Sequence, residues 1–133
     1  KRTAATDENY ADIVRNIGAS SFELYESGNK FYWSPDSNTN LLTDTISNNI
    51  WYHLVGTNDG GSFNNSKLYL SGILVATGNI TLGSAGAFRI GGNTTGGVKF
   101  FNGLIDDVQI YNYARSPLEI LQDYNGGFGA RLK

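Results

Sequence analysis

No cysteine occurs in the 133 residues, so a disulfide framework and a thiolate nucleophile are both excluded. With a single histidine as well, metal centres built on several His or Cys ligands cannot be assembled. Methionine is also missing, and Lys1 is therefore expected to be a processed, cleaved or truncated terminus. Charge is scarce: ten basic residues stand against twelve acidic ones, the net charge is −2, and no run of either sign is long enough to focus a field on phosphates. That disfavours a nucleic-acid partner. No apolar stretch approaches the roughly 18 residues of a membrane span, and no basic, apolar, small-residue leader is seen, so membrane insertion is not expected.

What the chain has in quantity is glycine (17) and asparagine (15), together with 17 aromatic residues and 40% hydrophobic residues overall. That is polar yet too apolar for a disordered chain, and the length suits one domain with one core. Short apolar runs alternate with Gly, Asn, Asp and Ser. This pattern predicts an all-β sandwich or barrel. Strands are expected at Ala11 to Ile17, Ser21 to Tyr25, Lys30 to Ser34, Ile50 to Thr57, Ser66 to Leu70, Ile73 to Thr77, Ala87 to Ile90 and Leu104 to Tyr111.

Ser27-Gly28-Asn29 and Ser71-Gly72 supply residues able to take positive φ where tight hairpins need them. Gly/Asn-rich connections run from Asn58 to Asn65, Gly78 to Gly86 and Gly91 to Gly97, and read first as solvated connectors. One short helix is expected after the last strand. Ser116 is its N-cap, Pro117 its first residue and Glu119 the third, a capping box, with Asn125-Gly126-Gly127 as the stop.

Candidate chemistry is sparse. His53, in strand phase with Trp51 and Val55, reads as a structural residue if that set faces the core. Glycosidase chemistry needs two facing carboxyl groups, yet Glu23/Glu26 and Asp106/Asp107 diverge on a regular strand, so catalysis is not expected. Asp106 shares a strand phase with Leu104, Val108 and Ile110, so it should be paired. It would either accept backbone N–H bonds or help bind Ca²⁺. Tyr32, Tyr52 and Tyr69 each oppose apolar neighbours and are candidates for a common solvent-facing sugar platform, with Asn64 and Asn93 as flanking hydrogen-bonding groups.

Several segments occur in a telling order: Asn49-Ile50-Trp51-Tyr52-His53-Leu54-Val55-Gly56-Thr57, Lys67-Leu68-Tyr69-Leu70-Ser71-Gly72-Ile73-Leu74-Val75, Arg89-Ile90-Gly91, Phe101-Asn102-Gly103-Leu104-Ile105-Asp106-Asp107-Val108-Gln109-Ile110-Tyr111-Asn112 and Ala114-Arg115-Ser116-Pro117-Leu118-Glu119-Ile120. The succession resembles the laminin-G-like, concanavalin A-like jelly-roll domains of the lectin-glucanase type, over about residues 10 to 124. The resemblance implies an all-β fold, an antiparallel β-sandwich of the jelly-roll type with one short C-terminal helix, as one domain over residues 1–125, with 126–133 as a tail or linker. Members of this family usually open with strands that precede a segment like Lys1-Arg2-Thr3, so the opening strands are expected to be missing here and their place to be filled by a partner segment, a swapped neighbour or an upstream part of the chain. The resemblance also implies an extracellular or cell-surface, non-catalytic binding or adhesion module for a glycan or surface protein, with Ca²⁺ as a cofactor through Asp106. Two alternatives remain open: a structural subunit that forms a homo-oligomer by strand addition, and part of a secreted glycan-active enzyme.

Overall fold

The computed structural model describes residues 1–3, 10–17, 22–34, 40–82, 86–93 and 99–126. It is a sandwich of two sheets. The larger sheet contains β1 (Ala11–Ile17), β2 (Glu23–Ser27), β3 (Lys30–Ser34), β4 (Leu41–Leu42), β8 (Ala87–Ile90), β9 (Gly92–Asn93) and β10 (Lys99–Phe100), in the order β4-β3-β2-β1-β10-β9 with β8 also on β1. The smaller is the antiparallel sheet β5-β6-β7, made of Leu54–Asn58, Ser66–Leu70 and Ile73–Gly78. All ladders are antiparallel except that between β1 and β10.

Alternation sorts each strand into two faces. Val14, Leu24, Trp33 and Leu41 stand directly opposite one another across β1 to β4. Trp33 and Leu41 meet Leu68 and Ile80 in the core, and Phe22, Leu24, Leu54 and Ala76 pack around them. At the centre, β5 passes so close to Trp33 that a Cβ on Gly56 would lie 2.4 Å from the indole Cδ2. Only a glycine fits there.

Both short hairpins turn as their residues require. Gly28 and Asn29 take φ of 54° and 66°, Ser71 and Gly72 take 50° and 80°, all in the left-handed region of two-residue turns. The helix α1 (Pro117–Tyr124) begins with the expected capping box: Ser116 Oγ accepts from the Glu119 N–H, and the Glu119 carboxylate accepts from the Ser116 N–H. Asn125 caps its end and Gly126 follows at φ 68°. The helix leans on the β6–β7 turn, where a Cβ on Gly72 would touch Leu121 and Tyr124 at 3.1 Å.

The expected strand at Leu104 to Tyr111 is not formed. Its alternation is intact, but among the described residues its backbone ladder stops at Leu104, where the N–H donates to the Lys1 carbonyl (2.8 Å), and Asp107 takes φ 49°. A strand is defined by a neighbour, and among the described residues none pairs with it beyond Leu104. The strand expected from Ile50 begins only at Leu54, because its partner β6 turns away at Ser71, whose N–H closes the ladder on the His53 carbonyl. Strands β4, β9 and β10, two residues each, are too short to leave a periodic signal. No described helix is long and apolar enough to cross a membrane. The tail 127–133, residues 83–85 and 94–98 of the Gly/Asn-rich connections, and Ser21 lie outside the described residues.

Residues 1–3 are held by a buried ion pair. Arg2 Nη1 lies 3.0 Å from Glu26 Oε1, with side-chain exposures of 3% and 0%. The same nitrogen donates to Asn29 Oδ1 at 2.7 Å, and Nη2 donates to the Ile46 carbonyl. The guanidinium thereby ties together the chain start, the β2–β3 turn and the stretch around Ile46.

Candidate functional site

The face of the large sheet opposite Val14, Leu24, Trp33 and Leu41 gathers aromatic and charged side chains, of which Tyr25, Asp12 and Ser34 are buried and Tyr10 is exposed. On β1 to β3, register places Asp12 opposite Tyr25 and Tyr25 opposite Tyr32. The Tyr25 and Tyr32 rings stack at 4.7 Å and 7° between planes, and Tyr10 leans on Tyr25 at 5.2 Å. One row along, Ser34, Glu23, Arg15 and Arg89 are successive partners on β3, β2, β1 and β8.

A β-bulge makes this face. Asp12 and Arg15 are three apart and would point to opposite sides of a regular strand, but the register of β1 on β2 shifts between Asp12 and Val14. Both side chains therefore share one face, and Arg15 Nη1 lies 2.9 Å from Glu23 Oε2 and 3.6 Å from Asp12 Oδ2. Burial, with the nearby Glu23 and Asp12 carboxylates, raises the Tyr25 phenol well above its ordinary range, so it stays protonated at neutral pH. At the rim Tyr10 and Phe100 are exposed, while Tyr32 and Arg89 are half-buried. Such a surface offers ring faces beside fixed donors and acceptors, which is what a polyhydroxylated ligand uses.

The tyrosines named from sequence do not form one platform. Tyr32 belongs to the face just described. Tyr52 sits elsewhere, edge-on to Phe31 at 5.6 Å, with its hydroxyl accepting from the Ser47 N–H at 2.9 Å. Tyr69 is not solvent-facing at all: it is 2% exposed, and burial raises its phenol pKa. Its neighbour Leu68 is fully buried on the opposite side, so both faces of β6 are covered there, which alternation within one strand does not reveal.

Asn64 is exposed at φ 46°, and its N–H donates to Asn79 Oδ1. It lies in a self-satisfied turn. Asn58 Nδ2 and Asn65 Nδ2 both donate to the Ile80 carbonyl, and the Ile80 N–H donates to Asn65 Oδ1 at 2.8 Å. Asn93 is in β9, with its side chain outside the described set.

Asp106 is not the buried, paired acid its strand phase predicts. It is exposed in the unladdered segment, where Oδ1 accepts from the Asp107 N–H at 2.9 Å. Among the described residues no strand pairs with this segment beyond Leu104, so it has no sheet face on which to bury the carboxylate. No group of three or more His, Asp or Glu that could hold a metal occurs among the described residues. Asp106 by itself does not supply the six to eight oxygens that Ca²⁺ takes.

His53 is half-buried against Tyr124 at 5.9 Å, and its Nδ1 has no hydrogen-bond partner. Burial lowers its pKa, and the nearby Asp123 carboxylate opposes this in part. Asp123 is engaged by Arg115, whose Nη2 donates to both carboxylate oxygens at 2.7 Å, and the same guanidinium lies 4.5 Å over the Tyr111 ring. These contacts anchor the helix to the segment before it. Between the sheets lies a cavity of about 900 Å³, bordered by the inner face of the large sheet, β5 and residues 104–115.

Sequence alone did not single out Tyr10, Asp12, Arg15 and Tyr25, and it set Glu23 only against Glu26. Their signal lies across strands, in acids and aromatics that only register brings together.

Residues 1–121 match the family model of the concanavalin A-like lectin/glucanases superfamily, a laminin-G-type model. No curated protein matches the chain. The match spans most of the sequence and agrees with the two-sheet architecture: the chain belongs to this superfamily, and its fold supports a binding module in general.

Proposed function

We propose that this member of the concanavalin A-like lectin/glucanase superfamily is a non-catalytic, carbohydrate-binding module that works at the cell surface or outside the cell. The observation that carries the reading is the outer face of the large sheet. There the Tyr10, Tyr25 and Tyr32 rings lie beside an Arg15 guanidinium shared by Glu23 and Asp12. Tyr10, exposed, and Tyr32, half-buried, offer the stacking faces, while Tyr25, 2% exposed, supports them from beneath, and the partly exposed Arg15 offers directed hydrogen bonds to hydroxyls or a sugar carboxylate.

The same pair of carboxylates argues against glycoside hydrolysis. Such chemistry needs two carboxyl groups facing one another across about 5–9.5 Å with a sugar between them, whereas Arg15 lies between these two, its Nη1 2.9 Å from Glu23 Oε2 and 3.6 Å from Asp12 Oδ2.

A glycan array run with Ca²⁺ and with chelator, followed by calorimetric titration of the hits, tests the proposal. Tyr10→Ala and Tyr32→Ala should each weaken binding by about tenfold, the loss of one aromatic contact of about 1.4 kcal/mol. An array without hits in either condition, or affinity unchanged by both variants, would refute it.

A further inference from the structure

We infer that the loop joining β5 to β6 is a separate sugar subsite, in which the Phe63 ring stacks on one residue of a neutral oligosaccharide and the side-chain amides of Asn64 and Asn79 bond its hydroxyls. The subsite lies on a different element from the Tyr10 and Tyr32 face, and it holds or fails independently of that face.

Phe63 is 79% exposed, more than any other large apolar side chain among the described residues. Single exposed apolar residues are ordinary on a protein surface. What sets this one apart is the framework under it. The loop is closed by the Asp59 N–H, which donates to the Asn65 carbonyl at 2.9 Å. Gly60 N–H donates to Asn58 Oδ1 and Gly61 N–H to Asp59 Oδ1, each at 2.9 Å. Asn65 Nδ2 donates to the Gly61 carbonyl at 2.8 Å, and the same side chain brackets the backbone of Ile80, a core residue only 1% exposed. The tip is thereby pinned to the core, with left-handed residues at Gly60 (φ 73°) and Asn64 (φ 46°) on either side of Phe63. A backbone already fixed in this way loses little freedom when a ligand covers the ring.

Two amides complete the site. The Asn64 N–H donates to Asn79 Oδ1, which brings the residue after β7 against the loop. The remaining groups of that pair are unused: the Asn64 side-chain amide and Asn79 Nδ2, both on exposed residues, have no hydrogen-bond partner among the described residues. A ring face beside free amide groups is the pairing a hexose takes. Its C–H face lies on the ring, and its hydroxyls, each both donor and acceptor, meet the amides.

Charge and size name the occupant. Residues 58–66 and 77–82 contain no Lys or Arg, and Asp59 is their one acid. The nearest basic residue in sequence, Lys67, is a rung of β6 between Thr57 and Thr77. An acidic sugar or an anionic lipid headgroup would find no cation in these segments. A stable protein interface takes about 800 Å² on each partner, far more than one ring and two amides offer. One or two rings of a neutral oligosaccharide match the tip.

The test uses the intact chain carrying Tyr10→Ala and Tyr32→Ala, so that the other face is weakened and the two readings separate. Cellohexaose, mannohexaose and maltohexaose are titrated in turn while the side-chain amide signals of Asn64 and Asn79 are followed by NMR. At least one of the three should shift these signals saturably. Phe63→Ala should weaken that titration by about tenfold, and Phe63→Trp, which keeps a stacking face, should preserve it. Because Phe63 meets solvent over most of its surface, Phe63→Ala should unfold at the same temperature as its parent, so that a lost titration is not a lost fold. No shift with any of the three hexasaccharides, or a titration that Phe63→Ala leaves unchanged, would overturn the subsite whatever becomes of the Tyr10 and Tyr32 face. Phosphatidylcholine vesicles that bind the parent but not Phe63→Ala, where the sugars do not bind, would also overturn it and mark the ring as a lipid anchor.

Discussion

The contact between Gly56 and Trp33 makes the sharpest test of how this core is built. In Gly56→Ala the new methyl would start 2.4 Å from Cδ2 and 2.5 Å from Cε3 of the indole. Carbon atoms need about 3.5–4.0 Å, so ring and strand must separate by about 1 Å. The ring cannot retreat freely, because Phe22 packs on it at 5.5 Å and Leu24, Leu41 and Leu68 surround it. Overpacking of this kind costs about 1–3 kcal/mol. Replacing a strand glycine by alanine returns about 0.5–1 kcal/mol of backbone entropy, which leaves a net loss of about 1–2 kcal/mol. At this chain length that corresponds to a fall in Tm of about 3–8 °C.

Urea and thermal unfolding followed by tryptophan fluorescence measure it. In a Trp33→Phe background the smaller ring leaves room, so the penalty of Gly56→Ala should shrink by about 1 kcal/mol, a coupling a double-mutant cycle reads directly. Gly28→Ala is the control: Gly28 sits at φ 54° with nothing within 4 Å of a Cβ, so its loss is purely conformational and should not depend on Trp33. A Gly56→Ala protein as stable as the parent, or a penalty unchanged in the Trp33→Phe background, would refute the steric argument.

Other perturbations probe separate parts of the fold. Glu26→Ala leaves Arg2 charged and buried without its carboxylate and should cost about 3–5 kcal/mol in chemical denaturation, since both side chains are almost wholly sequestered. Ser116→Ala removes the N-cap of α1 and should cost about 1 kcal/mol, with faster amide exchange confined to the helix. His53 is a base whose folded pKa lies below its ordinary 6.5, so the unfolded chain binds the extra proton first. Its contribution to stability is then complete above about pH 6.5 and declines as pH falls through that value toward the folded pKa. Unfolding free energies at pH 7.5 and 5.5 should therefore differ less in His53→Asn than in the parent. An equal difference in both would show that His53 carries none of this dependence.

Local chemistry settled much of this molecule. The Ser27-Gly28-Asn29 and Ser71-Gly72 turns, the capping box at Ser116 and Glu119, and strands such as Lys30–Ser34 and Ser66–Leu70 follow from φ preference, orphan N–H groups and alternation, which act over a few residues. The family was legible for the same reason, as an ordered series of such local segments. What depended on distant partners was not. Alternation gives Tyr69 an outward direction but is silent on what covers that side. It makes Leu104 to Tyr111 a strand in pattern, but hydrogen bonding decides whether one forms, and among the described residues no strand pairs with it beyond Leu104. The bulge in β1 reverses the phase of everything after Asp12, and through that single added residue Asp12, Arg15 and Glu23 come to one face. Sequence by itself determined the turns, the helix cap and the two-sheet class, because each rests on contacts within a few residues. Tertiary structure alone decided which side chains meet on one face of the large sheet and which strands pair, because register and cover are properties of pairs of strands.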